Sequence, residues 1–138
     1  MDVIALRGNS DVGKSTTINI VYQLMLFNGY TQLPGHFRVL GNPVQKDFID
    51  VLELHGVKIG VVSQGDLSRG IDSLRNHLAY LQSVGCAKAV CACTTNIGTV
   101  KAVMSYPIHH FQNKVPSTTS SLERIENNRD AIIIYRLI

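Results

Sequence analysis

The sequence predicts an α/β protein with a mostly parallel sheet flanked by helices. Three observations predict it. Short apolar runs of strand length recur at Asp2–Arg7, Val57–Val62 and Lys88–Cys93. Segments with helical spacing of apolar residues stand between them, over residues 14–27 and 67–84. A polar loop bounded by Gly8 and Gly13 joins the first strand to the first helix.

Taken in order, Val3-Ile4-Ala5-Leu6 forms the centre of a buried strand. In the helix that follows the loop, Ile18, Val21, Tyr22, Met25 and Leu26 share one face. Asn28-Gly29 stops that helix with residues tolerant of left-handed geometry. Residues 31–43 contain Pro34, Gly35, Gly41 and Pro43 and are expected to be loop, with at most a short strand at 37–40. Residues 48–54 and 57–62 are two strands around a tight His55-Gly56 turn, so a β-hairpin is expected over 48–62.

Leu67, Ile71, Leu74, Leu78 and Leu81 repeat at three and four residues, which predicts a helix over 67–84 ended by Gly85. Residues 96–105 are expected to be a short helix, and 106–116, punctuated by Pro107 and Pro116, a loop. The hydroxyl run at 117–121 offers N-caps for a helix through Leu122 and Ile125. Residues 131–138 stay open: consecutive isoleucines favour a strand, yet Ile133, Ile134, Leu137 and Ile138 also make a helical face.

The chain of 138 residues is read as one domain. Its 45% apolar and 17% charged residues exclude a disordered or fibrous chain. An aromatic share of 7% without Trp argues against stacking platforms for single-stranded nucleic acid. A net charge of +3 suits a phosphate-bearing ligand but is too small to indicate specific nucleic-acid binding. Three cysteines and no signal-peptide pattern lead to the expectation of a reducing, cytoplasmic setting. No apolar run reaches the roughly 18 residues that suggest a membrane span.

Gly8-Asn9-Ser10-Asp11-Val12-Gly13-Lys14-Ser15 matches G-x-x-x-x-G-K-S, the Walker A pattern, in the required setting of strand before and helix after. The two glycines let the backbone curl so that successive N–H groups point at phosphate oxygens. The helix starting near Lys14 adds its positive dipole end. Lys14 can reach β- and γ-phosphates, the Ser15 hydroxyl can ligate Mg²⁺, and Thr16 brings a hydroxyl near the α-phosphate. Over residues 2–28 the chain resembles the P-loop NTPase superfamily, which implies a three-layer P-loop NTPase-like fold. Around residues 57–93 it also resembles small uncharacterised P-loop proteins of bacteria and phages.

A P-loop enzyme needs a further carboxylate at a strand end to hold Mg²⁺ or orient water. The strand Val57–Val62 is followed by Ser63-Gln64-Gly65-Asp66. Asp66 is therefore the candidate carboxylate and Mg²⁺ ligand, although it equally suits an N-cap for the helix expected from Leu67. Gln64 can place a water or lie on the surface. Asp11 puts an unusual negative charge in the phosphate loop and is expected to face solvent or a partner. The lysine of the deviant Walker A class is absent, since Asn9 follows Gly8.

The run Thr94-Thr95-Asn96-Ile97-Gly98-Thr99 stands where a guanine-reading motif would be and lacks its acid, which leaves ATP as the default nucleotide. Arg69 and Arg75, and then Arg124 and Arg129, are the arginines available for an acceptor, a lid or a trans-acting finger. Cys91 and Cys93 share one strand face, and with Cys86 they read as buried thiols rather than metal ligands. His36, His109 and His110 are expected to be exposed in loops.

Three functions follow as expectations. The first is Mg²⁺-dependent NTP hydrolysis coupled to a partner, with a homodimer or unknown protein partner supplying arginine. The second is a small kinase acting on a nucleotide or metabolite. The third is a nucleotide-gated binding or assembly protein with negligible turnover.

Overall fold

The computed structural model describes residues 1–10, 12–41, 44, 46–114, 116–117 and 119–138. Among them, eleven elements follow one another: β1 (Asp2–Arg7), α1 (Lys14–Phe27), β2 (Thr31–Gln32), β3 (Arg38–Leu40), β4 (Asp47–Leu54), β5 (Val57–Val62), α2 (Leu74–Val84), β6 (Lys88–Cys93), α3 (Ile97–Met104), β7 (His109–Asn113) and α4 (Ser120–Leu137). The strands form one sheet in the order β2-β4-β5-β6-β1-β7, with β3 also paired to β4. The class is α/β, as the sequence predicts.

The sheet is mixed rather than mostly parallel. β5, β6, β1 and β7 run parallel, whereas β4 is antiparallel to β5, β2 and β3. The expected hairpin is the cause. His55 and Gly56 take φ of 52° and 79°, the paired positive values of a two-residue hairpin turn. So short a connection reverses the chain and cannot make a parallel crossover. Leu54 then pairs with Val57 and Ile49 with Val62, which carries the start of β4 to the carboxyl end of β5.

Three further expectations change. The helix predicted over 67–84 begins only at Leu74, capped by the Ser73 hydroxyl, which accepts from the Asn76 amide. Gly70 at φ 90° breaks the helical path, and Ile71 is left 84% exposed. The segment 106–116 is not all loop, since β7 pairs parallel to β1 within it. β7 is an edge strand of sequence HHFQN, largely exposed, so no apolar alternation marks it. The open segment 131–138 continues α4, because Ala131 and Ile134 bury against the α1 side of the sheet.

The two sheet faces carry separate cores. Leu74, Leu78 and Leu81 of α2 with Ala102 and Val103 of α3 cover one. Ile18, Val21, Tyr22 and Met25 of α1 with Ala131 and Ile134 of α4 cover the other. Cys86, Cys91 and Cys93 are free thiols in the first core. Burial raises all three thiol pKa values, that of Cys86 to about 11. On the second face, Asp50 is fully buried and accepts from Tyr22 Oη at 2.8 Å and Gln32 Nε2 at 3.1 Å. Desolvation, reinforced by Asp50, pushes the Tyr22 hydroxyl pKa upward.

Candidate functional site

The site forms where β1 hands over to α1. The Gly8 amide donates to the Cys93 carbonyl at 3.0 Å, and the Lys114 amide donates to the Arg7 carbonyl at 2.7 Å. Both sides of the β1 terminus are thereby held by the neighbouring strand ends. Gly13, at φ 92°, is the N-cap of α1 and provides no side-chain cap. The first amides of α1 are thus left for another acceptor. A Cβ at Gly13 would also stand 2.8 Å from Asn127 Oδ1, so this position excludes a side chain on two grounds.

Lys14 is buried, and its Nζ donates to the Asn9 carbonyl. Asn9 Oδ1 accepts from Thr95 Oγ1 at 3.0 Å, linking the glycine-bounded loop to the end of β6. Ser10 and Thr16 are exposed at the cleft. Val12 lies beneath the loop, its Cγ2 3.0 Å from a Cβ built on Gly8. Asp11 lies outside the described residues.

The Ser15 hydroxyl faces Asp47 Oδ1 at 2.7 Å and the Ser63 carbonyl at 3.2 Å. Ser63 Oγ also donates to Asp47 Oδ1, at 3.1 Å, and accepts from the Phe48 amide at 2.8 Å. Asp47 is 7% exposed. This carboxylate is the residue that sequence reasoning missed. It opens a strand rather than following one, and only the antiparallel register brings it to the carboxyl end of the sheet. The signal was present in the hairpin: with Leu54 opposite Val57, the same register extended sets Asp47 beside the segment after Val62.

Asp66 reaches the cleft by a different route. β6 separates β5 from β1, so the chain after Val62 must cross the end of β6. Gly65 makes that crossing, since a Cβ there would lie 1.7 Å from the Ala92 carbonyl oxygen. The Gly65 carbonyl accepts from the Thr94 amide at 3.0 Å. Asp66 is exposed and lines the cleft; it does not cap the helix, a role that Ser73 fills. Gln64 is 8% exposed and lines the same cleft, and its Oε1 is buried without a hydrogen-bond donor among the described residues.

The resulting cleft has a volume of about 370 Å³ and is lined by Lys14, Ser15, Asp47, Gln64, Asp66 and Glu123, among others. Hydroxyl and carboxylate oxygens dominate, a donor set that suits a hard divalent cation such as Mg²⁺. Glu123, from the first turn of α4, was also not anticipated. Arg69, Arg75, Arg124 and Arg129 do not line the cleft. Thr94, Asn96 and Thr99 serve α3: the Asn96 side chain accepts from the Gly98 amide, and the Thr94 and Thr99 hydroxyls meet at 3.0 Å.

His109 and His110 lie on exposed β7, His109 Nδ1 being 2.7 Å from the Tyr106 carbonyl. Exposed His36 meets Tyr80 Oη at 2.6 Å. Among the described residues, no group of three or more His, Cys, Asp or Glu is placed to hold a metal by itself, and no helix is long and apolar enough to cross a membrane. In comparisons with known proteins, the chain matches no family model, no curated protein and no solved structure.

Proposed function

We propose that this chain binds a nucleoside triphosphate, ATP by default, with Mg²⁺ at residues 8–16, and hydrolyses its terminal phosphoanhydride in the manner of a P-loop NTPase. The observation that carries the reading is the Ser15–Asp47 contact at 2.7 Å. It pairs the hydroxyl of the G-K-S motif with a buried carboxylate at the mouth of the strand–loop–helix unit. Bound Mg²⁺ would neutralise developing phosphate charge, held by Ser15 and Asp47 with Asp66 in reach of the same cleft.

The charge of the cleft supports a cation-dependent ligand. Its charged lining residues are Lys14 against Asp47, Asp66 and Glu123. A polyphosphate alone would meet net repulsion there, which bound Mg²⁺ would reduce. The Lys14 ammonium exchanges the Asn9 carbonyl for phosphate oxygens. The loop amides and the open first turn of α1 bind the remaining phosphate charge. The unpartnered Gln64 Oε1 accepts a hydrogen bond from a water and orients it for attack.

Water as the acceptor is favoured over a kinase substrate because the arginines that motivate a kinase reading lie outside the cleft lining. A second copy or another protein supplies the missing positive charge in trans. Isothermal calorimetry with ATP and Mg²⁺ tests the reading: the wild-type chain binds and Lys14→Ala does not. Equal affinity in the two proteins would end it.

A further inference from the structure

Glu123, Glu126, Asn127 and Asp130 recur at three- and four-residue spacing, so they share one face of α4. An amphipathic helix ordinarily turns apolar side chains inward at such positions. α4 does so only further along, with Ala131 and Ile134. Its first half instead brings polar groups to the phosphate loop. Glu123 lines the cleft. Asn127 abuts Gly13, and buried Asp130 pairs at 3.1 Å with Lys114, whose Cβ is 3.1 Å from a Cβ built on Gly8. Glu126 Oε2 and Asn127 Oδ1 are buried with no hydrogen-bond donor among the described residues.

An acidic face beside an anion-binding loop is an electrostatic conflict. Lys114 is already matched by Asp130, which leaves Glu123, the α4 carboxylate that lines the cleft, to act on whatever occupies it. We infer that Glu123 sets the charge selectivity of the phosphate cleft: its carboxylate repels the bound polyphosphate, so filling of the loop and seating of the first turns of α4 oppose each other. The inference rests on the reading that the cleft takes a nucleoside triphosphate. The repulsion grows with phosphate charge and, because Glu123 is exposed, is screened by salt.

Glu123→Gln keeps the shape of an exposed side chain and removes only its charge. Calorimetry on wild type and variant with ATP and with ADP, each with Mg²⁺, at low and high ionic strength, tests the inference. ATP binds the variant roughly fivefold more tightly at low salt, ADP gains less, and the difference shrinks at high salt. ATP also speeds amide exchange over residues 120–127 of the wild-type chain. Equal or weaker ATP binding by the variant overturns the inference alone; weaker binding makes Glu123 a ligand of cation or hydroxyl. Unchanged or slowed exchange on ATP binding overturns the coupling to α4. A wild-type chain that binds no ATP removes the inference and the proposed function together.

Discussion

Ser15 Oγ and Asp47 Oδ1 are 2.7 Å apart, although 32 residues separate them in the chain. Asp47 also accepts from Ser63, so one carboxylate ties the start of α1 to the start of β4 and the end of β5. The same oxygen atoms face the cleft that the proposed reading fills with a magnesium nucleotide.

Asp47→Asn preserves the shape and removes the charge. In a Mg²⁺ titration of ATP hydrolysis, the variant is expected to need about 10–100 times more Mg²⁺ for half-maximal rate. An unshifted Mg²⁺ dependence would assign the metal-holding role to Asp66 instead. The fold is expected to lose about 1–3 kcal/mol, since two hydroxyls exchange a charged acceptor for an amide.

Gly65→Ala forces a methyl group into the space of the Ala92 carbonyl oxygen, 1.7 Å from the Cβ position. The chain must lift off β6, taking Gln64 and Asp66 with it. A destabilisation of about 3 kcal/mol or more is expected in urea denaturation. A change below about 0.5 kcal/mol would mean that the crossing is looser than the geometry requires.

The Lys114–Asp130 pair, with side chains 0% and 7% exposed, is buried beside the glycine-bounded loop. Asp130→Asn leaves an ammonium uncompensated and is expected to cost about 3–5 kcal/mol. Lys114→Met combined with Asp130→Leu should recover most of that loss, because two matched apolar groups need no pairing. A double variant as unstable as Asp130→Asn would show that the pair contributes more than charge balance.

His77 is 2% exposed, and its Nε2 has no hydrogen-bond partner among the described residues. Desolvation lowers its pKa below the ordinary 6.5; Asp72 opposes the shift and Arg38 adds to it. The folded chain therefore keeps His77 neutral at a pH where the unfolded chain protonates it. Stability is then full above the unfolded pKa and falls as the pH drops below about 6.5. The urea midpoint is expected to fall between pH 7.5 and 5.5, and this slope should flatten in His77→Leu. An identical pH slope in that variant would place the titration elsewhere.

Much of this protein is legible because the relevant signals are local. The strand Asp2–Arg7, the helix Lys14–Phe27 and the glycine-bounded loop between them are contiguous in sequence and in space. Strand-length apolar runs also located β5 and β6, and the His55-Gly56 turn announced the hairpin. Edge position hid β7, whose polar residues pair with β1 without needing an apolar face. Helical spacing overextended α2, because periodicity does not register the left-handed Gly70.

By itself, then, the sequence determined the α/β class and the strand–loop–helix unit around the G-x-x-x-x-G-K-S pattern, both of which follow from short-range periodicity and backbone freedom at glycine. Only the tertiary structure decided the mixed sheet, the approach of Asp47 to Ser15, the crossing of Gly65 over β6 and the acidic face of α4 over the loop. Each of these depends on strand order, register or helix docking. Such long-range choices are made by the summed burial of two cores, and no short window of residues encodes them.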